Sequence, residues 1–119
     1  MELTVYEYSR CGTCRDAAKW LTARGHELNP IQVFDKPPTV KQITSLIKKS
    51  GLEAKKFFNV SGEVYKEMNL KDKLPAMTEE EKIRLLASNG RLIKRPIVTD
   101  GKKVTVGFKE EQFEQTWGS

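Results

Sequence analysis

The tetrad Cys11-Gly12-Thr13-Cys14 holds the only two cysteines of the 119-residue chain. Two thiols at this spacing suit thiol–disulfide exchange, in which one sulfur attacks and the other closes an internal bond to release the product. The tetrad sits between a short apolar run and an amphipathic stretch, where a strand would hand over to a helix. The first turn of a helix has unpaired N–H groups and a partial positive charge, which stabilise a thiolate and draw a cysteine pKa below its free value of about 8.5. On this register the two sulfurs are unequal. Cys11 lies at the helix mouth, whereas Cys14 joins Ala17, Ala18 and Leu21 on one helical face at the i, i+3, i+4, i+7 spacing. Cys11 is therefore the expected nucleophile and Cys14 the expected resolving cysteine of a redox-active disulfide. Arg15, four residues after Cys11, and Arg10 in the preceding loop would add positive charge beside the thiolate.

The cysteines admit two other readings. As small apolar residues they could both be core packing, but a Cys-x-x-Cys at a strand-to-helix turn is a specific context for redox chemistry. A structural zinc site normally needs four ligands, and the single histidine, His26, follows the first helix without a second Cys-x-x-Cys. No metal and no cofactor are expected, and His26 is expected to face solvent from a loop. Arg95-Pro96-Ile97 is the second informative segment. Proline at a strand entrance is confined to edges or special geometry, and base rates alone favour an ordinary trans peptide there.

The elements that must position these residues follow from pattern. Leu3 to Tyr8 reads as a strand, the stretch from Cys14 to a stop at Gly25 as a helix, and Leu28 to Phe34 as a second strand: a βαβ unit with parallel strands. Pro37-Pro38 breaks the chain. Thr39-x-x-Gln42 and Thr78-x-x-Glu81 have the spacing of capping boxes, each opening a helix, with short helical pieces at 52–58 and 63–68 between them. The end returns to β structure. Ile97 to Thr99 and Val104 to Val106 flank Asp100-Gly101, which predicts a hairpin with a two-residue primed turn, and residues 109–117 predict a last helix with Phe113 and Trp117 on one face.

Composition sets the bounds. The length suits one domain spanning 1–119, with a helical insertion at about 37–90. Apolar residues make up 38% and charged residues 31%, an ordinary globular balance. No run approaches the roughly 18 apolar residues of a membrane span, and Met1 leads into Leu3-Thr4-Val5-Tyr6 without the pattern of a secretory signal. A cytoplasmic monomer is expected, without a membrane partner. The formal charge of +5 favours an acidic partner or anionic substrate, but the basic residues are scattered, without the basic arm or aromatic platform of a direct nucleic-acid binder.

Cys11-Gly12-Thr13-Cys14-Arg15, Pro37-Pro38-Thr39 and Arg95-Pro96-Ile97-Val98 together resemble the family that joins glutaredoxin-coupled arsenate reductases to the Spx and MgsR regulators. The resemblance covers essentially the whole chain. It implies an α/β thioredoxin-like fold, βαβ plus ββα around a mixed four-stranded sheet, with a helical insertion. It also implies that Pro96 is a cis proline facing the cysteine loop, with Gly12, Thr13 and Pro96 shaping the substrate side and Arg95 serving the site with Cys11, Cys14 and Arg15. Arsenate reductases of this kind use three arginines around the nucleophile. Here Arg95 matches one, Asn59 stands at the position of a second and Gly107 or Phe108 at that of the third, so the implied oxyanion cradle is incomplete. The thiol donor implied is thioredoxin, glutaredoxin or a small thiol. The alternative is a redox-sensing regulator that binds the C-terminal domain of the RNA polymerase α subunit. Against that pattern, Ser61 replaces an arginine and the sequence ends at Ser119 without a basic tail.

Overall fold

The computed structural model describes residues 1–118. In chain order its elements are β1 (Glu2–Glu7), α1 (Gly12–Ala23), β2 (Glu27–Gln32), α2 (Val40–Ser50), α3 (Glu63–Glu67), α4 (Leu70–Lys73), α5 (Glu79–Ser88), β3 (Ile97–Thr99), β4 (Val104–Val106) and α6 (Glu110–Trp117), with single 3₁₀ turns at Ala54–Phe57, Leu74–Ala76 and Gly90–Leu92. They group into two compact units, one made of residues 1–32 with those from Arg95 onward, the other of Val33–Lys94.

The first unit is built on a four-stranded sheet of order β2-β1-β3-β4. β1 and β2 are parallel, while β3 runs antiparallel to β1 and β4 antiparallel to β3. The expected βαβ-plus-ββα arrangement is therefore present. Alternation along β1 puts Leu3 and Val5 on one face, where both are fully buried, and Val98 lies opposite Val5. These side chains meet Ala17, Trp20 and Leu21 of α1 and Phe113 and Trp117 of α6 in one apolar cluster. Trp20 meets Phe113 edge-on at 5.5 Å between ring centroids, and Phe108 meets Phe113 at 4.7 Å. Trp20 rather than Ala18 completes the buried stripe of α1. Pro30, which lacks a ladder donor, lies on the edge strand β2.

Two expectations need correction. His26 is buried, with 9% of its surface exposed, and its Nε2 lies 2.8 Å from the Trp117 carbonyl. The cause is the way α1 ends. Gly25 takes φ +85, its N–H bonds the Thr22 carbonyl and the His26 N–H reaches back to the Leu21 carbonyl. This Schellman arrangement turns the residue after the glycine back toward the protein. There His26 supplies a donor to a last-turn carbonyl of α6, which has no intrahelical partner. The hairpin forms as expected, but its connection spans residues 100–103, because Thr99 pairs with Val104. Asp100 Oδ1 accepts the Lys102 and Lys103 N–H groups at 2.9 and 2.8 Å, and Gly101 takes φ +96, so an Asp-centred turn replaces the two-residue primed turn.

The second unit is helical. Both capping boxes form: Thr39 with Gln42 opens α2, and Thr78 with Glu81 opens α5. Phe57, Phe58, Leu86, Leu92 and Ile93 are almost fully buried in this unit. Gly90 has no substitute, since a Cβ there would collide with the Val33 carbonyl. The unit carries thirteen Lys and Arg against eight Asp and Glu, whereas the first has eight of each, so the positive excess belongs to the helical unit alone. Among the described residues no helix is long and apolar enough to cross a membrane.

Candidate functional site

β1 leaves the sheet at Glu7, and Tyr8 to Cys11 form a turn closed by the Cys11 N–H on the Tyr8 carbonyl at 3.0 Å. Cys11 is the N-cap of α1, with extended backbone at φ −84 and ψ 118. Its Sγ accepts the Cys14 N–H at 3.4 Å, the role an N-cap oxygen usually fills. Gly12 and Thr13 follow in the first turn and are exposed. Cys14 faces inward, with 2% of its surface exposed, and both cysteines are free thiols.

The two sulfurs titrate in opposite directions. Partial burial works against ionisation of Cys11, but hydrogen bonds from the Cys14 side chain and backbone, and then the hydrogen bond and charge of Arg95, outweigh it and hold the thiol below its ordinary value. Burial pushes the Cys14 thiol up to about 12; the Tyr8 N–H opposes this, and the neighbouring Cys11 sulfur reinforces it. The pair thus holds one thiol that ionises more readily than an ordinary cysteine beside one that keeps its proton at neutral pH.

The structure brings Arg95 to Cys11. β3 begins at Ile97 opposite Tyr6, so Arg95 and Pro96 enter the sheet beside the end of β1 from which the cysteine turn departs. The Arg95–Pro96 peptide is cis, as the resemblance implied and against the base rate, and Pro96 is buried. The Arg95 guanidinium also lies 5.8 Å from the centre of the Tyr8 ring. Arg10 and Arg15 are exposed and are not among the groups that shift the Cys11 thiol. Sequence reasoning missed Tyr8, whose backbone N–H serves Cys14; no side-chain pattern signals a main-chain donor.

Residues 6–116 match the model of the ArsC family. The chain belongs to the ArsC family. It is 57% identical over 117 residues to the uncharacterized protein YusI of Bacillus subtilis, covering 98% of this chain and 99% of that one. A crystal structure of an ArsC family related protein from Bacteroides fragilis superposes with a TM-score of 0.92 at 49% identity, covering 97% of each chain. At 29% identity the relatives diverge in role. An arsenate reductase of Neisseria meningitidis matches 95% of this chain and 96% of its own length, and the regulatory protein MgsR of B. subtilis matches 90% and 83%. The thioredoxin-like fold is common to this ArsC group.

Gly107, Phe108 and Asn59 each have a structural partner. Gly107 takes φ +80 and donates its N–H to the Pro96 carbonyl at 2.8 Å, and Phe108 packs against Phe113. In the helical unit, Asn59 donates its N–H to the Leu92 carbonyl at 2.8 Å and accepts the Ser61 hydroxyl at 3.2 Å.

Proposed function

We propose that this ArsC-family chain is a cytoplasmic thiol–disulfide redox protein in which Cys11 is the nucleophile and Cys14 the resolving cysteine. The observation that carries the reading is the placement of two free thiols one helical turn apart, Cys11 half-buried at the N-cap of α1 and Cys14 buried behind it. The Cys11 thiolate attacks one sulfur of a substrate disulfide, forms a mixed disulfide and expels the other sulfur as a thiolate. Cys14 then loses its proton and attacks Cys11 Sγ; the Cys11–Cys14 disulfide forms and the second substrate thiolate leaves. Two electrons have passed from the protein to the substrate. Two thiol equivalents from thioredoxin, glutaredoxin or a small thiol return them.

Arg95 supports the attacking thiolate, Pro96, Gly12 and Thr13 border the position a substrate sulfur takes, and the exposed Arg15 serves as a cation at the rim for an anionic substrate. Arsenate is disfavoured as that substrate. Gly107 takes a left-handed turn, Phe108 packs against Phe113 and Asn59 carries no charge, so of the three arginines the resemblance implies, this chain offers Arg95.

The test is the pH dependence of Cys11 alkylation together with disulfide reductase assays of Cys11→Ser and Cys14→Ser. A depressed Cys11 midpoint, loss of turnover in Cys11→Ser and accumulation of mixed disulfide in Cys14→Ser are expected. A free-thiol midpoint with both variants active would refute the reading.

A further inference from the structure

Gln32 is the last residue of β2 and pairs with Glu7, the last residue of β1, in the parallel ladder. Its side chain reaches beyond that ladder. Oε1 accepts the Ser9 N–H at 2.9 Å, and Nε2 donates to Glu7 Oε2 at 3.3 Å. The orientation of the carboxamide is dictated by its neighbours, because a backbone N–H can only donate and a carboxylate can only accept. Reversing the amide would break both bonds at once.

Ser9 is the second residue of the turn that carries the nucleophile. The amide before it, that of Tyr8, donates to Cys14 Sγ, and the Tyr8 carbonyl accepts the Cys11 N–H. Three successive backbone groups are thereby fixed: one to the resolving sulfur, one to the nucleophile's own backbone, and one to Gln32. The first two bonds lie within the cysteine segment and move with it. The bond to Gln32 comes from twenty-three residues away and ties the segment to the sheet.

We propose that Gln32 is a positioning residue for Cys11, pinning the Tyr8–Cys11 turn so that the sulfur stays on the Cys14 N–H at the start of α1 and within reach of Arg95. The proposal rests on the reading of Cys11 as nucleophile. Without the pin, the turn keeps its local bonds but loses its fixed relation to β2. Cys11 then samples positions off the helix axis and beyond the guanidinium, where its thiolate is less stabilised.

The experiment follows iodoacetamide alkylation of Cys11 against pH, read by peptide mass spectrometry on the full chain. Gln32→Ala is expected to move the alkylation midpoint upward and to slow the reaction at pH 7 at least threefold, with the two proteins converging at high pH. The exchange Glu7→Gln with Gln32→Glu keeps an oxygen at position 32 for the Ser9 N–H and reverses donor and acceptor only in the bond between positions 7 and 32, with net charge unchanged. It is expected to return the rate to within twofold of the parent. Gln32→Glu alone keeps the Ser9 acceptor and loses the bond to Glu7, so it should fall between them, which also serves if Gln32→Ala folds poorly. A merely structural role would lower the melting temperature of Gln32→Ala without moving the midpoint, and that result overturns the proposal. So does a rate lowered equally at every pH, or an exchange that restores nothing. A parent protein whose own Cys11 titrates like a free thiol overturns the nucleophile reading and this one with it; a depressed parent midpoint unmoved in Gln32→Ala overturns this one alone.

Discussion

Replacing Arg95 by glutamine removes the guanidinium that hydrogen-bonds Cys11 while keeping a side chain of similar reach. A hydrogen bond to an ionised group contributes about 1.5–3 kcal/mol when both partners are well buried, whereas exposed ion pairs contribute about 0.2–1 kcal/mol. Cys11 is partly exposed and Arg95 half-buried, which places the pair at about 1 kcal/mol, the upper end of the exposed range. That energy corresponds to a roughly fivefold change in an equilibrium. The sign follows from the depressed Cys11 thiol: Arg95 favours the thiolate, so Arg95→Gln raises the midpoint and lowers the thiolate fraction at neutral pH. Alkylation of Cys11 by iodoacetamide at pH 7 should slow about fivefold on the same estimate, and the difference should vanish at alkaline pH, where both proteins are fully ionised. Arg15→Gln, at an exposed position outside the groups acting on the thiol, should leave the profile in place. Equal rates for Arg95→Gln and the parent at pH 7, or a larger effect from Arg15→Gln, would refute the electrostatic account.

Other outcomes follow from the same geometry. Gly107→Arg forces an L residue to φ +80; it should cost about 1–2 kcal/mol in urea unfolding and bring no arsenate turnover. Gly90→Ala should destabilise by about 1–3 kcal/mol, because its Cβ meets the Val33 backbone, and an unchanged urea midpoint would contradict that packing. Cys14 gives a pH signature of opposite sign to that of Cys11. Its folded-state thiol is pushed up to about 12, so above the ordinary thiol range the unfolded chain releases a proton that the folded chain keeps, and stability is lost as pH rises toward 12. In a Cys11→Ser background, Cys14→Ala should flatten the alkaline part of the stability profile between about pH 9 and 11; identical slopes with and without Cys14 would count against its burial as a neutral thiol.

Much of the architecture is legible in the residues because local signals agree with one another. Thr39-x-x-Gln42 and Thr78-x-x-Glu81 are capping boxes in fact as in pattern, and the alternation of Leu3 and Val5 places β1 on the core. The inequality of the two cysteines is also readable, since a three-residue separation on a helix start sends one sulfur to the cap and the other to the packed face. Other features depend on contacts distant in sequence. His26 reads as a loop residue until the end of α6 supplies the carbonyl it binds, ninety-one positions away. Helical spacing points to Arg15 as the cation beside Cys11, yet Arg95 supplies it because β3 runs beside β1. The Asp100 turn shows a dipeptide signal yielding to strand register. Pairing of Thr99 with Val104 leaves four residues to connect, and the Asp100 side chain organises them.

The central claim, that Cys11 and Cys14 form a reversible two-electron couple open to substrate disulfides, is tested most directly by titrating the reduced protein with oxidant under intact-mass detection, followed by turnover with a generic disulfide and with arsenate. Loss of two hydrogens with the Cys11 and Cys14 peptides joined, reversal by added thiol, and turnover of the disulfide far exceeding that of arsenate are expected. A protein that keeps both thiols through the titration, or oxidises only to over-oxidised or intermolecular products, would contradict it.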